Sequence, residues 1–197
     1  VLMGAPLPDM NQTALVTGGA NGFGATATRA LHAAGYRVVI ADIDQEAAGK
    51  LASELDLSGE TAVTATLDVS RPEDFQLALD KIVARWGSAE VLVNNAARTE
   101  AKPVLEIDPH EFNAIMATNA GGVFAGCQTF GRHFKDRGYG RIINMASLAG
   151  QNGGTATGAH YAASKGAILT LTKVFARDLA AFGVTCNAIS PGPMDSP

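Results

Sequence analysis

Short apolar runs rich in β-branched residues alternate with longer amphipathic stretches from one end of this chain to the other. Consecutive strands joined through helices pair in parallel, and a parallel sheet needs helices on both faces. The pattern therefore predicts an α/β fold, three layers (α/β/α) built on a doubly wound sheet. Strands are predicted at Ala14-Leu15-Val16, Arg37 to Ala41, Ala62 to Leu67, Val91-Leu92-Val93, Arg141 to Asn144 and Val184 to Ile189. Five helical stretches begin near Gly22, Asp44, Arg71, Pro109 and Ala159, several of them on start signals: Asp44, Asp108-Pro109 and Ser70-x-Pro72-Glu73. Gly, Ser, Asn and Asp gather at strand ends, notably Gly18 to Gly24 and Gly150 to Gly158. No low-complexity linker interrupts the pattern, which predicts one domain over residues 1–197.

Composition narrows the partners. A formal charge of −4, a pI near 5.5 and the lack of any Lys/Arg cluster offer no basic face to nucleic acid or to an anionic membrane. No stretch approaches the ~20 apolar residues of a membrane span, and nothing in the opening residues predicts a secretory leader. Cys127 and Cys186 sit far apart in apolar segments, as buried free thiols would, which points to a reducing, cytoplasmic compartment. Asn11-Gln12-Thr13 fits the glycosylation pattern, but it lies at the mouth of a strand without a secretory signal and is set aside. His32, His110, His133 and His160 pair with no Cys, Asp or Glu at metal spacing, so no metal is predicted. His160 is expected to flank a substrate cleft or cap its helix, and Trp86 to anchor packing.

Thr17-Gly18-Gly19-Ala20-Asn21-Gly22-Phe23-Gly24 follows the first strand and opens the first helix. Backbone N–H groups and the positive helix terminus can there face a pyrophosphate. Spaced glycines arise by chance in a chain holding 22 of them, so a second feature has to decide. Asp42 supplies it. It ends the second strand about twenty residues after Gly22, where an acid accepts hydrogen bonds from adenosine ribose hydroxyls. Asp44 is assigned the cap of the next helix, and Asp42 the ribose. A 2′-phosphate would meet Asp42 as a like charge, so NAD is favoured over NADP.

With the segments downstream, these residues resemble the short-chain dehydrogenase/reductase family over nearly the whole chain, from Thr17 to Pro193. Thr17 to Gly24 fits its Thr-Gly-x-x-x-Gly-x-Gly pattern. The resemblance implies a Rossmann-type fold and a nicotinamide dinucleotide held by Gly18, Asn21, Gly22, Phe23, Gly24, Asp42 and Ile43. Leu67-Asp68-Val69 resembles the family segment that meets adenine, which implicates Asp68 and Val69. Val93-Asn94-Asn95-Ala96 resembles the Asn-Asn-Ala-Gly motif beside the cofactor and implicates Asn94 and Ala96, with Ala97 standing where the final glycine would be. Thr118-Asn119 falls where the family carries a catalytic Asn, and Pro191-Gly192 resembles its turn beside the nicotinamide.

Ser147 follows an apolar strand, and Tyr161-Ala162-Ala163-Ser164-Lys165 opens the next helix, so both reach the carboxyl edge of the sheet. Tyr and Lys at i and i+4 share a helix face, where an ammonium favours the neighbouring phenolate and makes Tyr161 a usable acid/base. A lone Tyr-x-x-x-Lys says little. With Ser147, Asn119 and the glycine turn it predicts hydride transfer between a nicotinamide and a carbonyl or secondary alcohol, Ser147 hydrogen-bonding the substrate oxygen and Tyr161 exchanging its proton. The resemblance further implies that Tyr161 and Lys165 hold the nicotinamide ribose and that Asn119 orders a proton-relaying water. Ser147, Leu148, Gln151, Tyr161, Arg98 and Met194 are the predicted substrate contacts, and Gln151 to Gly158 a mobile pocket edge.

The helix from about Pro109 to Phe134 and the one after Tyr161 are apolar over more than one stripe, which predicts burial against a second subunit. The resemblance likewise implies a homodimer or homotetramer. It also implies that family members continue past Pro197 into a substrate-covering segment and a last strand, so the sheet is expected to lack that strand. Two alternatives stand beside the dehydrogenase. One is a dinucleotide-binding sensor or scaffold without turnover; the other is an NADP-using 3-oxoacyl carrier protein reductase, against which Asp42 argues.

Overall fold

A computed structural model describes residues 12–155 and 157–192. Six strands, β1 (Thr13–Thr17), β2 (Arg37–Asp42), β3 (Ala62–Thr66), β4 (Val91–Asn94), β5 (Gly140–Met145) and β6 (Val184–Ile189), form one sheet in the order β3-β2-β1-β4-β5-β6, every pair parallel. The chain winds outward from β1 to one edge, returns, and winds from β4 to the other. The reversal between β1 and β4 opens a crevice at the carboxyl ends of the central strands, the place where doubly wound sheets hold ligands.

The strand sequences explain why the sheet is buried on both faces. Thr13 to Thr17 of β1 are all buried, and their side chains point alternately into two apolar layers. Leu15, Val39, Leu92 and Ile142 meet α3 (Pro72–Trp86), α5 (Gly122–Arg137) and α7 (Ala159–Leu179), where Phe75, Phe130, Phe134 and Ile168 fill the space. On the opposite face Ile40 packs against Ala48 and Leu51 of α2 (Gln45–Leu55), while Ala14, Val16 and Val93 lie under Leu31 of α1 (Gly22–Ala33). Trp86, partly buried at the end of α3, joins the first layer and carries the Arg37 and Arg85 guanidinium groups over its ring at 5.7 and 5.3 Å.

Helix starts follow local chemistry. Asp44 Oδ1 accepts from Ala47 N at 3.0 Å and caps α2. Asp108 and Glu111 form a reciprocal capping box at α4 (Pro109–Met116), which has Pro109 in its first turn. The Ser70 signal works differently from the expectation. Arg71 is the cap residue of α3, and the Ser70 hydroxyl instead donates to Asp68 Oδ1 at 2.7 Å. The long helix expected from Pro109 runs unbroken to Arg137, with a π-helical turn at Ala117–Gly121 marking the junction of α4 and α5 (Gly122–Arg137). A short helix, α6 (Ala149–Asn152), runs into the start of the Gln151 to Gly158 segment.

Much of the apolar surface of α4 and α5 is consumed inside the protomer: Ile115, Val123, Phe130 and Phe134 are buried, leaving Phe112 and Phe124 exposed. Phe124 packs against Phe175 of α7 with ring centroids 5.9 Å apart. Phe130 is fully buried between sheet and helices. Phe130→Ala is accordingly expected to cost about 3–5 kcal/mol of unfolding free energy, read from the urea midpoint at constant slope.

Candidate active site

The carboxyl ends of β1, β2, β4 and β5, together with the helices that follow them, carry the candidate side chains, because parallel strands deliver all their ends to one edge. After β1 the chain turns on Gly18, at φ +59°, and Gly22, at φ +52°, both left-handed conformations that glycine adopts without strain. Gly24 is required for another reason: a Cβ there would overlap the Gly18 carbonyl oxygen. Asn21, the residue before α1, makes no capping bond, and the first turn of α1 holds no acidic residue. The leading N–H groups of that helix therefore stay available to an anion.

Two side chains fix the turn to the sheet. Thr17 Oγ1 accepts from Asn95 N and Ala96 N at 3.0 and 3.1 Å, and Asn95 Nδ2 donates to the Thr17 and Gly18 carbonyls, both at 3.0 Å. Asp42, buried at the end of β2, accepts from Ala20 N through Oδ2 and from Asp44 N through Oδ1, each at 3.0 Å. Each carboxylate oxygen keeps acceptor capacity after these bonds.

The turn borders a cavity of about 510 Å³ whose lining includes Gly18, Asp42, Ile43, Asp68, Val69 and Ala96. Asp68 is held below the usual carboxylate range by the hydroxyl and N–H of Ser70. Arg98 and Thr118 line this same cavity, so the Arg98 expected to touch substrate shares it with Asp42 and Asp68. Asn94 does not face it. Its Nδ2 donates inward to Asn144 Oδ1 at 2.9 Å and to Cys127 Sγ at 3.5 Å. Of the neighbouring asparagines it is Asn95 that reaches the glycine turn. Strand alternation was the available signal, since adjacent residues at a strand end point to opposite sides.

The second half of the site is built by β5 and α7. Ser147 leaves β5 with its Oγ accepting from Ala149 N at 3.1 Å, so its hydroxyl hydrogen remains free to donate. Gly150 lies so near α7 that a Cβ would stand 2.5 Å from the Lys165 carbonyl carbon; glycine is what lets the Ser147 segment close on this helix. Lys165 is 3% exposed, donates to the Met145 carbonyl at 2.6 Å, and holds its ammonium 5.5 Å from the centroid of the Tyr161 ring. Burial pulls the Lys165 ammonium down to about 8.

Asn119, in the π-helical turn and fully buried, accepts from Arg98 N at 2.8 Å and donates to Arg98 O and Ser164 Oγ, both at 2.9 Å. Both of its amide hydrogens are thereby used inside the protein. The Pro191 carbonyl accepts from Leu148 N at 3.0 Å, tying the turn after β6 to the Ser147 segment, while Gly192 ends the described residues. Leu148, Gln151, Asn21 and Phe23 are exposed around the rim. Met194 lies outside the described residues.

A glycine turn facing an open helix terminus, an acid ending the second strand and a Ser/Tyr/Lys group on the same sheet edge are the features by which relatives can be sought. The short chain dehydrogenase profile matches residues 12–197. The chain belongs to the short-chain dehydrogenase/reductase family. It is 38% identical over 185 residues to sorbitol dehydrogenase of Cereibacter sphaeroides, covering 93% of this chain and 71% of that protein. An NAD+-bound xylitol dehydrogenase superposes with a TM-score of 0.88 at 33% identity, over 95% of this chain and 72% of that one. A gluconate 5-dehydrogenase of Burkholderia cenocepacia, solved with NADP and tartrate, gives 0.87 at 37% identity over 94% and 72%. Members of this family are oxidoreductases acting on CH–OH groups.

The Lys165 shift makes a thermodynamic prediction for this short-chain dehydrogenase. Its folded value of about 8 lies below the ordinary 10.5, so between these the unfolded chain binds more protons than the folded one, and stability rises with pH. Urea unfolding of the free protein should show a gain of roughly 3 kcal/mol from Lys165 between those limits. In Lys165→Met that increment should vanish from the difference between pH 8 and pH 10.5 unfolding curves.

Proposed function

We propose that this protein is an NAD(H)-dependent oxidoreductase interconverting a secondary alcohol and a ketone, with Tyr161 as the acid/base. The observation that carries the proposal is the placing of Lys165 and Tyr161 on one helix face, against the Ser147 segment that Gly150 brings in, on the sheet edge that also bears the glycine turn. The residues present fit a dinucleotide. The leading N–H groups of α1 suit a pyrophosphate, and Asp42 retains acceptor sites for ribose hydroxyls in the lining of the 510 Å³ cavity. Ile43, Asp68, Val69 and Ala96 would line its adenosine half, and Pro191 and Gly192 its nicotinamide end. When bound, the nicotinamide supplies or accepts the hydride.

The chain's own residues handle the oxygen and its proton. Ser147 donates its free hydroxyl hydrogen to the substrate oxygen, which orients the carbonyl and favours the charge that builds on it. Tyr161 gives its phenolic proton to that oxygen in reduction and withdraws it in oxidation. The Lys165 ammonium, desolvated and near the ring, stabilises the phenolate left behind. Asn119 braces the Arg98 backbone and Ser164 around this group. NAD is favoured over NADP because a 2′-phosphate would approach the Asp42 carboxylate. We further infer a cytoplasmic homo-oligomer whose subunits cover the exposed Phe112 and Phe124.

Two measurements test this reading. Over a panel of polyols, vicinal diols, simple ketones and 3-oxoacyl thioesters, turnover should appear with NADH or NAD+ at ~10-fold or greater preference over the phosphorylated cofactor. A preference for NADPH would contradict the Asp42 assignment. Tyr161→Phe should lower kcat by ~10²-fold or more with NADH affinity within about twofold of wild type, whereas near-normal turnover would remove the acid/base role.

A further inference from the structure

Tyr161 is the third residue of α7, a helix whose N-cap is Gly158 and which has no side-chain cap bond from that position. The N–H groups at such a start need partners from elsewhere. His160 supplies one: its Nδ1 accepts from Tyr161 N at 2.9 Å. Gly158 is what admits the ring, because a Cβ there would collide with the imidazole Cε1 and stand 2.7 Å from Nδ1. At the other end of the same residue the Tyr161 carbonyl accepts from Ser164 Oγ at 2.7 Å, and Ser164 is itself held by Asn119. Side chains thus grip the main chain of Tyr161 at both its N–H and its carbonyl.

His160 is fully buried. Accepting through Nδ1 places the proton of the neutral imidazole on Nε2, and Nε2 has no partner among the described residues. A phenyl or alkyl side chain would fill the space without the cost of burying that nitrogen unpaired. Packing alone does not account for a histidine here. What the imidazole adds over an apolar side chain, among the hydrogen bonds of the described residues, is the bond to Tyr161.

We propose that His160 is a positioning residue for the reaction: through Nδ1, and with the space left by Gly158, it sets the main chain from which the Tyr161 phenol reaches the substrate. The proposal rests on Tyr161 being the acid/base, and the test keeps the two apart. Asparagine places a polar atom where Nδ1 lies, and glutamine one where Nε2 lies. H160N, H160Q and Y161F are compared for kcat and KM with the best alcohol of the panel above, for NADH affinity by fluorescence titration, and for Tm.

H160N is expected to retain kcat within about threefold, while H160Q loses ~10- to 100-fold in kcat with NADH affinity unchanged, the size of effect seen when a reacting group is displaced by up to about 1 Å. Equal losses in H160N and H160Q, or full activity in H160Q, overturn the proposal. Should glutamine not be accepted in the buried site, G158A pushes the ring from the other side. The same selective fall in kcat supports the proposal, and unchanged kcat overturns it. An inactive Y161F beside a fully active H160Q removes the role of His160 alone; an active Y161F removes the acid/base reading and this proposal together.

Discussion

The site is organised around one buried ammonium. Lys165 donates to the carbonyl of Met145, the last residue of β5, and thereby ties the helix that carries Tyr161 to the strand that leads into Ser147. Desolvating a lysine is costly, and its lowered proton affinity is the visible sign of that cost. The fold sustains the cost because the surrounding contacts are over-determined. Gly150 closes the gap to α7, the Pro191 carbonyl accepts from Leu148 N, and Asn119 donates to Ser164 of α7, whose hydroxyl donates to the Tyr161 carbonyl. The outcome is a cation confined beside a phenol, at an edge where a parallel sheet already gathers its loops.

Rigidity on the dinucleotide side has a different origin. Thr17 and Asn95 stitch the glycine turn to the end of β4, and Asp42 stitches it to the end of β2. Asp42 thus fixes the turn with the same carboxylate that, in the proposed reading, would meet a ribose, and its bond to Ala20 N orients that group. Beneath the sheet edge a buried polar chain, Asn94 to Asn144 to Thr172, runs from β4 through β5 to α7. Cys127 and Cys186 sit against it as free thiols, where the neighbouring Cys186 and burial raise the Cys127 thiol. These bonds align β4, β5 and α7, on which both halves of the site depend.

Much of this was legible in the sequence. The alternation of apolar runs and amphipathic stretches foretold six parallel strands within a residue or two of their ends, because a strand buried on both faces leaves an unmistakable apolar run. Asp44 as a cap and Asp108-Pro109 as a helix start were readable because capping chemistry is local. What stayed hidden depends on tertiary context. The π-helical turn that carries Asn119 has no composition signal, and apolar periodicity passes straight through it. Phe130 and Phe134 read as surplus apolar surface until the sheet claims them. Asn94 and Asn95 differ only in which side of a strand end each faces, and Arg98 joins the Asp42 cavity because Asn119 clamps its main chain, a contact 21 positions apart.

In the proposed reading a dinucleotide lies between the Asp42 turn and the Lys165 ammonium, with its reactive ring at the Tyr161 hydroxyl. A crystal structure of the complex with NAD+ measures this directly. The account predicts adenosine against Asp42 and Asp68, the pyrophosphate at the start of α1, and the nicotinamide beside Tyr161 and Ser147. Density for the ring on any other face of the sheet, or a nicotinamide separated from Tyr161 by the Ser147 segment, would contradict it.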